Sequence, residues 1–229
     1  MITDISPYAV VLTEVSKFYG DSWPALTDVS LTVQKGDFVF LLGATGAGKT
    51  TLLRLLYRHE LPDSGEIRVL GEDVVTMPQK RIPQLRRRIG VIFQDFRLLP
   101  DRTIYENLEF VLRAVGLQSD TIAPRIQETL GRLGLLHKRD CFPHQLSGGE
   151  QQKASIARAL VKSPDLILAD EPTGNIDPQA SGDILNILKD INYEGATVLM
   201  ATHDAKLAEA TGRRRIVLDA GRVVRDDLS

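Results

Sequence analysis

The sequence has few cysteines and no long apolar stretch, the features that would form disulfides or cross a membrane. It contains 229 residues and a single cysteine, Cys141, so no disulfide can form within the chain, and we interpret this thiol as a small, partly buried hydrophobic side chain. The longest apolar stretches, such as residues 38–44, are far shorter than the ~20 residues that cross a bilayer. A chain of this length buries enough surface to fold without a metal or a disulfide.

Neither sign of charge is in excess. The 28 Lys and Arg residues nearly balance the 30 Asp and Glu residues, and a net charge of −2 gives no reason to expect nucleic-acid binding. Two arginine runs, at 86–88 and 213–215, are interpreted either as solvated faces or as contacts for an anionic lipid or an acidic partner. The first residues lack a basic segment followed by an apolar run, so we expect no secretory signal and a cytoplasmic location.

Short β-branched segments alternate with helical patterns along the chain. The segments up to residue 42 lie close together, with turn signals at 21–24 and 35–36, and predict an antiparallel set of strands. Later segments, at 89–93, 166–169, 197–201 and 215–218, are almost continuously apolar. Continuous apolar character is typical of parallel strands that are covered on both faces. The pattern predicts an α/β fold with a mostly parallel sheet.

A mostly helical block occupies residues 97–162. Ile104, Leu108 and Leu112 are spaced for one apolar helix face, and a second helical pattern runs from residue 122 to 135. No Gly-, Ser- or Pro-rich linker flanks the block. We therefore expect a single domain, 1–229, with this block as an inserted helical subdomain.

Residues 43–50, Gly-Ala-Thr-Gly-Ala-Gly-Lys-Thr, match the phosphate-loop pattern between a strand-like and a helix-like segment. Glycines let the backbone wrap around phosphates and present N–H groups at a helix N-terminus. In such a loop, Lys49 would meet the β- and γ-phosphates and the Thr50 hydroxyl would bind Mg²⁺. The alternative, an incidental glycine-rich turn, does not account for this context.

Two carboxylates, Asp170 and Glu171, end the apolar segment that begins at residue 166. Burial of the strand would carry them to the carboxyl edge of the sheet, where ligands of α/β proteins bind. Asp170 is then a candidate Mg²⁺ ligand, and Glu171 a candidate to orient or deprotonate a water. Alone, such a pair equally predicts a helix cap, and the upstream phosphate loop favours catalysis.

Residues 146–152, Leu-Ser-Gly-Gly-Glu-Gln-Gln, precede another helical pattern. Ser147 and Glu150 have the spacing of a capping box. A cap does not require two consecutive glycines, whereas presenting several N–H groups to an anion does. We therefore interpret Ser147, Gly148 and Gly149 as a second phosphate contact, compatible with the cap.

Together these motifs resemble the ATP-binding cassette (ABC) ATPase family over nearly the whole chain. The resemblance implies a P-loop NTPase (RecA-like) core with an N-terminal antiparallel β subdomain and an inserted helical subdomain. It also implies roles for smaller motifs. Tyr19 matches the aromatic residue that stacks on adenine, with hydrophobic packing as the alternative, and Gln94 matches the glutamine that senses Mg²⁺ and water. The segment Asn175-Ile176-Asp177 matches the D-loop, and His203 the switch histidine at the γ-phosphate.

The resemblance thus implies one site for ATP and Mg²⁺. The implied catalytic residues are Glu171, His203 and Gln94, and the implied metal ligands are Thr50, Gln94 and Asp170. The residues implied to bind nucleotide are Tyr19, Gly43, Ala44, Thr45, Gly46, Ala47, Gly48, Lys49, Thr50, Thr51, Ser147, Gly148, Gly149 and Asp177.

Partners are likewise implied by the resemblance. The family pairs two cassettes head to tail with ATP between Lys49 of one copy and the Ser147 segment of the other. Residues 94–107 resemble the family's bacterial cell-division branch, which implies an FtsX-like integral membrane protein, indirect control of a peptidoglycan hydrolase, and a peripheral position on the cytoplasmic face of the inner membrane. In that branch Phe96, Leu98 and Leu99 would face the membrane partner; the alternative is that they pack into the helical block.

Two other functions remain open at this stage. The segment 168–177 is shared with the ATPase subunits of lipoprotein-release and macrolide-type exporters. A third hypothesis is an ATP-dependent scaffold in which nucleotide occupancy, and not hydrolysis, recruits division proteins.

Overall fold

The computed structural model describes residues 6–20, 23–174 and 176–227, and within these ranges it contains two β-sheets with helices on both sides of the larger one. The strands are β1 (Tyr8–Tyr19), β2 (Trp23–Gln34), β3 (Phe38–Leu42), β4 (Ser64–Val69), β5 (Glu72–Asp73), β6 (Ile89–Ile92), β7 (Leu166–Asp170), β8 (Thr197–Thr202), β9 (Arg214–Asp219) and β10 (Arg222–Asp227). The α-helices are α1 (Lys49–Leu56), α2 (Ile82–Arg87), α3 (Ile104–Ala114), α4 (Ser119–Arg132), α5 (Gly148–Leu160), α6 (Pro178–Tyr193) and α7 (Ala205–Glu209).

The larger sheet places three strand ends side by side. Its order is β10-β9-β3-β8-β7-β6, and all its pairs are parallel except the one between β10 and β9. Leu42 of β3 pairs with Thr202 of β8, and Asp170 of β7 pairs with Ala201. The loops after β3, β7 and β8 therefore leave the sheet at one edge, where α/β proteins bind their ligands.

The alternating side chains of β3 separate two hydrophobic cores. Val39 and Leu41 pack in a core with α1 and the smaller, antiparallel sheet, whose order is β2-β1-β4-β5. Phe38 and Phe40 pack on the other face, in a core that contains apolar residues of α3, α4, α5 and α6. The expected α/β fold, with an antiparallel N-terminal sheet and a helical block beside a parallel core, is confirmed. The assignment of all 229 residues to one domain stays a prediction.

One turn prediction was partly wrong. Of the turn predicted at 21–24, Trp23 and Pro24 instead begin β2, and Pro is tolerated at the first positions of such an edge strand. Residues 21–22 lie outside the described part. Strand β10 was missed because its charged sequence resembles a solvated loop, and it forms the edge of the sheet, pairing with β9 alone among the described strands.

The arginine runs are largely bonded within the chain. Arg86 donates to the carbonyl oxygens of Tyr57 and Arg58, and Arg88 and Arg214 pair with aspartates. Cys141 is partly buried beside the helical core, as expected. Among the described residues, no helix combines the length and the apolar character needed to traverse a bilayer.

Candidate functional site

A cleft of about 340 Å³ lies at the edge where β3, β7 and β8 end. It brings together residues that are far apart in the sequence. Its lining consists of Tyr19, Ala25, Thr45, Gly46, Gly48, Lys49, Thr50, Thr51, Gln94, Glu171 and His203. Ten of these eleven positions were predicted from sequence; Ala25, contributed by β2, was not.

The phosphate loop after β3 folds tightly into the start of α1. Gly48 is the N-cap of α1 with φ 103°, and no side chain among the described residues caps this helix end. The first N–H groups of α1 are therefore directed at the cleft without an internal acceptor, as anion binding requires. Gly43 is held by close packing, since an added Cβ would lie 2.5 Å from the Leu218 carbonyl oxygen.

Gly48 and Gly46 offer a matched stability test. Both have positive φ, but an added Cβ at Gly48 would lie 2.4 Å from the Ala25 carbonyl oxygen, whereas nothing lies within 4 Å at Gly46. Gly48→Ala is expected to lower the free energy of unfolding by roughly 2–4 kcal/mol, because steric overlap adds to backbone strain. Gly46→Ala is expected to lower the free energy of unfolding by only about 1–2 kcal/mol, because it introduces backbone strain without steric overlap. Urea unfolding without nucleotide measures both, and equal losses would contradict the steric argument.

A buried ionic cluster forms the floor of the cleft. Lys49, only 6% exposed, donates to the carbonyl oxygens of Gly43 (2.6 Å) and Ala44 (3.1 Å), and its Nζ lies 3.3 Å from Oε1 of Glu171. The other carboxylate oxygen of Glu171 lies 3.0 Å from Nδ1 of His203 and accepts from its backbone N–H. Lys49, Glu171 and His203, which follow three different strands, thus lie together. The Lys49 ammonium and the Glu171 carboxylate are both largely shielded from water.

Thr50 and Asp170 form a second polar pair beside this cluster. The Thr50 hydroxyl lies 3.2 Å from a carboxylate oxygen of Asp170. Burial raises the pKa of Asp170, the Thr50 hydrogen bond opposes this, and the neighbouring Glu171 carboxylate raises it further. A nearby cation would therefore stabilise the ionised form of Asp170.

The donor set of this pair fits Mg²⁺. The metal favours oxygen ligands and is usually held by one or two protein groups together with substrate phosphates and water. Thr50 and Asp170 supply a hydroxyl and a carboxylate. The described residues contain no cluster of three or more His, Cys, Asp or Glu side chains, such as an all-protein metal cage would need.

Tyr19 and Gln94 lie at the rim of the cleft. Tyr19 is 39% exposed, and its hydroxyl is hydrogen-bonded to Glu60 and lies 3.4 Å from the Thr51 hydroxyl. Tyr19 thus remains partly accessible to solvent, while its hydroxyl is held in place by Glu60. Gln94, two residues after the end of β6, is exposed and joins the lining of the cleft.

The Ser147 segment lies outside this cleft. Ser147 is the N-cap of α5 and forms a complete capping box with Glu150, as predicted. The backbone N–H and hydroxyl of Ser147 hold the pKa of Glu150 below its usual value. Ser147 is exposed, and Gly148 and Gly149 are partly exposed, so that this helix end is accessible from outside the chain.

Other predicted residues have a visible structural role. Asp177 caps α6 by accepting the N–H of Ala180 at 2.9 Å, and Asn175 lies outside the described residues. Gly43, Ala44 and Ala47 shape the phosphate loop without lining the cleft. The proposed roles of these residues toward nucleotide stay predictions.

Comparison with known proteins agrees with this geometry. The sequence model described as ABC transporter matches residues 26–174. The cell division ATP-binding protein FtsE of Bacillus subtilis is 44% identical over 218 residues, covering 95% of this chain and 96% of that protein. FtsE of Mycobacterium tuberculosis is 46% identical over 219 residues (95% of each), and FtsE of Escherichia coli is 46% identical over 207 residues (90% and 93%).

Solved structures give the same result for the fold. A dimeric ATP-binding cassette in a post-hydrolysis state, bound to ADP and Pi, has a TM-score of 0.87 and 34% identity, covering 96% of this chain and 98% of that one. A second dimeric structure of the same cassette, described as a bacterial ABC transporter cassette, has a TM-score of 0.88 at 35% identity, with the same coverage. The P-loop NTPase core implied by the sequence is thereby confirmed. The chain belongs to the ABC transporter family, as one of its ATP-binding and ATP-hydrolysing cassettes.

Proposed function

We propose that this ATPase is the nucleotide-hydrolysing subunit of an FtsEX-type complex, which acts through an FtsX-like membrane protein on peptidoglycan hydrolysis during cell division. The observation that carries the proposal is 44–46% identity to FtsE proteins of three distant bacteria over 90–95% of the chain. The chain would then lie at the cytoplasmic face of the membrane, held there by its partner.

The cleft supports a direct hydrolytic reaction. The ATP phosphates would lie over the N-terminus of α1, where Lys49 exchanges its carbonyl contacts for the β- and γ-phosphates. A water attacks the γ-phosphorus while Glu171 accepts its proton, and the bond to the β-phosphate oxygen breaks to release ADP and phosphate. His203, bonded to Glu171, would orient this carboxylate and contact the γ-phosphate. Mg²⁺, held by Thr50 and Asp170 with Gln94 nearby, would neutralise phosphate charge.

A second copy of the chain would complete each site. The accessible Ser147 segment is absent from the lining of its own cleft, so it is available to a nucleotide held by another copy. One structural neighbour is a cassette that was solved as a dimer in two structures, which supports this arrangement. We therefore propose a head-to-tail homodimer with two ATP molecules between the protomers.

A separate cleft of about 320 Å³ is a candidate surface for the membrane partner. It lies between the end of α1, the segment after β6, α3 and α5. Its floor is apolar and includes Val91, Phe93 and Val111. Phe96, Leu98 and Leu99 nearby are partly buried, and Leu98 packs against the helical core. The contact of this segment with the membrane partner stays a prediction.

Four cations line this apolar floor: Arg86, Arg97, Arg158 and Lys162. Arg97 pairs with Asp95 at 3.0 Å, and among the described residues no carboxylate lines the cleft itself. Burial lowers the pKa of Lys162 to about 8 and that of Arg158 to about 10. Such desolvated cations favour an anionic neighbour. We propose that the partner inserts a short apolar segment that carries a carboxylate.

Charge reversal tests this surface. Lys162→Glu is expected to reduce capture of the membrane partner by at least about tenfold, since a carboxylate would face a carboxylate in a partly desolvated site. Lys206→Glu, at an exposed position of α7 outside the cleft, is the matched control and should retain capture. Pull-down from detergent-solubilised membranes, with thermal melting to verify folding, measures both. Equal capture by folded Lys162→Glu would exclude this cleft.

The identity of the partner tests the proposed function itself. Affinity purification of the tagged chain from its native membranes, followed by mass spectrometry, should recover an FtsX-like protein. Recovery of a lipoprotein-transport or macrolide-efflux permease in its place would favour the exporter alternative.

A further inference from the structure

The turn that carries Glu171 has an unfavourable backbone conformation. Glu171 has φ 46°, in the left-handed region that side chains other than glycine seldom adopt. Its N–H donates to the carbonyl oxygen of Ala201 at 3.0 Å, and its own carbonyl accepts the N–H of Gly174 at 3.1 Å. A residue at the reaction centre is thus held in a strained geometry, which persists only when surrounding contacts fix it.

Gln152 of α5 provides one of these contacts. Its side chain is only 1% exposed, and its Nε2 donates at 2.7 Å to the carbonyl oxygen of Pro172, the residue that follows Glu171. Its Oε1 is buried and has no hydrogen-bond partner among the described residues. Burying a primary amide with one end unpaired is unfavourable, and an apolar side chain would avoid it. The retained donor therefore points to a role in holding the turn.

The neighbouring contacts of α5 fix the position of this donor. Lys153 pairs with Asp183 of α6 at 3.0 Å, and an added Cβ at Gly149 would lie 3.0 Å from the Cβ of Ala180. Ser181 lies within hydrogen-bond reach of the Thr173 carbonyl oxygen, at 3.5 Å. The first turns of α5 and α6 thus pack closely beside the Glu171 turn, and Gln152 contacts its backbone directly.

We propose that Gln152 is a positioning residue for hydrolysis, which fixes the Glu171 carboxylate by clamping the carbonyl of Pro172. Glu171 and not Gln152 touches the reacting atoms. Loss of the clamp lets the strained turn relax and moves the carboxylate away from the attacking water. ATP binding to a single copy depends instead on the loop after β3, and the side chain of Gln152 donates to Pro172 and not to that loop. The defect should therefore be confined to the rate of the chemical step.

Gln152→Met tests this, since methionine has a similar shape and no donor. We expect kcat to fall about tenfold, from misplacement of a catalytic group, with the Kd for ATP changed less than about twofold. Thr129→Val is the control: Thr129 is also buried and loses one hydrogen bond, to the Arg125 carbonyl oxygen in α4. It should leave kcat unchanged. An unchanged kcat for Gln152→Met, or an equal loss in the control, would overturn the proposal.

A double-mutant cycle separates positioning from a general structural role. In a Glu171→Ala background, residual hydrolysis is followed by single turnover with radiolabelled ATP over hours. If Gln152 acts through Glu171, adding Gln152→Met changes this residual rate by less than about twofold. A further tenfold fall would show that Gln152 acts independently and overturn the proposal. Should the methionine variant not fold, Gln152→Leu, which also lacks a donor, enters the same cycle.

Discussion

Glu171→Gln is expected to lower ATP turnover by roughly 10²–10⁴-fold, the range that a general base contributes. The amide keeps the shape of the side chain but cannot accept a proton from the attacking water. The phosphate loop and Lys49 stay intact, so ATP binding should persist. Steady-state phosphate release and equilibrium binding of ATP measure the two quantities separately. Undiminished turnover would exclude Glu171 as the base.

The same variant should form an ATP-stabilised dimer, because the closed state no longer decays through hydrolysis. Light scattering with saturating Mg·ATP should give twice the mass of the chain. With ADP, which does not stabilise the dimer, it should give the mass of a single chain. Glu128→Gln is the matched control, since Glu128 is an exposed carboxylate of α4 with a side chain 70% accessible. It should resemble wild type in turnover and in mass. A Glu171→Gln variant that stays monomeric would count against the proposed dimer.

Lys49→Ala is expected to weaken ATP binding by about a hundredfold, the combined effect of two charge-assisted hydrogen bonds to phosphate. The substitution also leaves Glu171, 11% exposed, without its cationic neighbour, which adds electrostatic repulsion toward the γ-phosphate. Isothermal titration calorimetry with ATP measures the loss.

Lys206→Ala, at an exposed lysine of α7, is the control for removal of a positive charge. It should bind ATP with wild-type affinity. Wild-type affinity in Lys49→Ala would contradict the assignment of the cleft to the phosphates.

The site could be predicted where local sequence dictates geometry. The glycines and Lys49 of the phosphate loop come directly after strand β3 in the sequence. Their position at the carboxyl end of that strand can therefore be predicted without knowledge of distant residues. The same holds for Asp170 and Glu171 after β7, and parallel strands bring both groups to one edge. Ser147 and Glu150 illustrate a different case, because their motif predicted both a helix cap and a phosphate contact. The cap is present, whereas the exposure of this helix end could be learned only from the structure.

Contacts between distant segments could not be predicted in this way. Ala25 belongs to β2, and only the packing of the antiparallel sheet against α1 brings its carbonyl to Gly48. Gln152 has no signal that distinguishes it from Gln151 beside it, since its burial against Pro172 depends on the tertiary position of α5. Edge strand β10 was missed because its polar sequence predicts a loop, and the strand forms only through its pairing with β9.

Replacement of the chromosomal gene by one that encodes Glu171→Gln tests most directly whether ATP turnover at this cleft serves division. At wild-type protein levels, verified by immunoblotting, and with membrane-partner binding intact, the account predicts cells that fail to septate. Normal septation by cells whose purified variant shows no measurable turnover would contradict it, and would favour the scaffold in which nucleotide occupancy alone is sufficient.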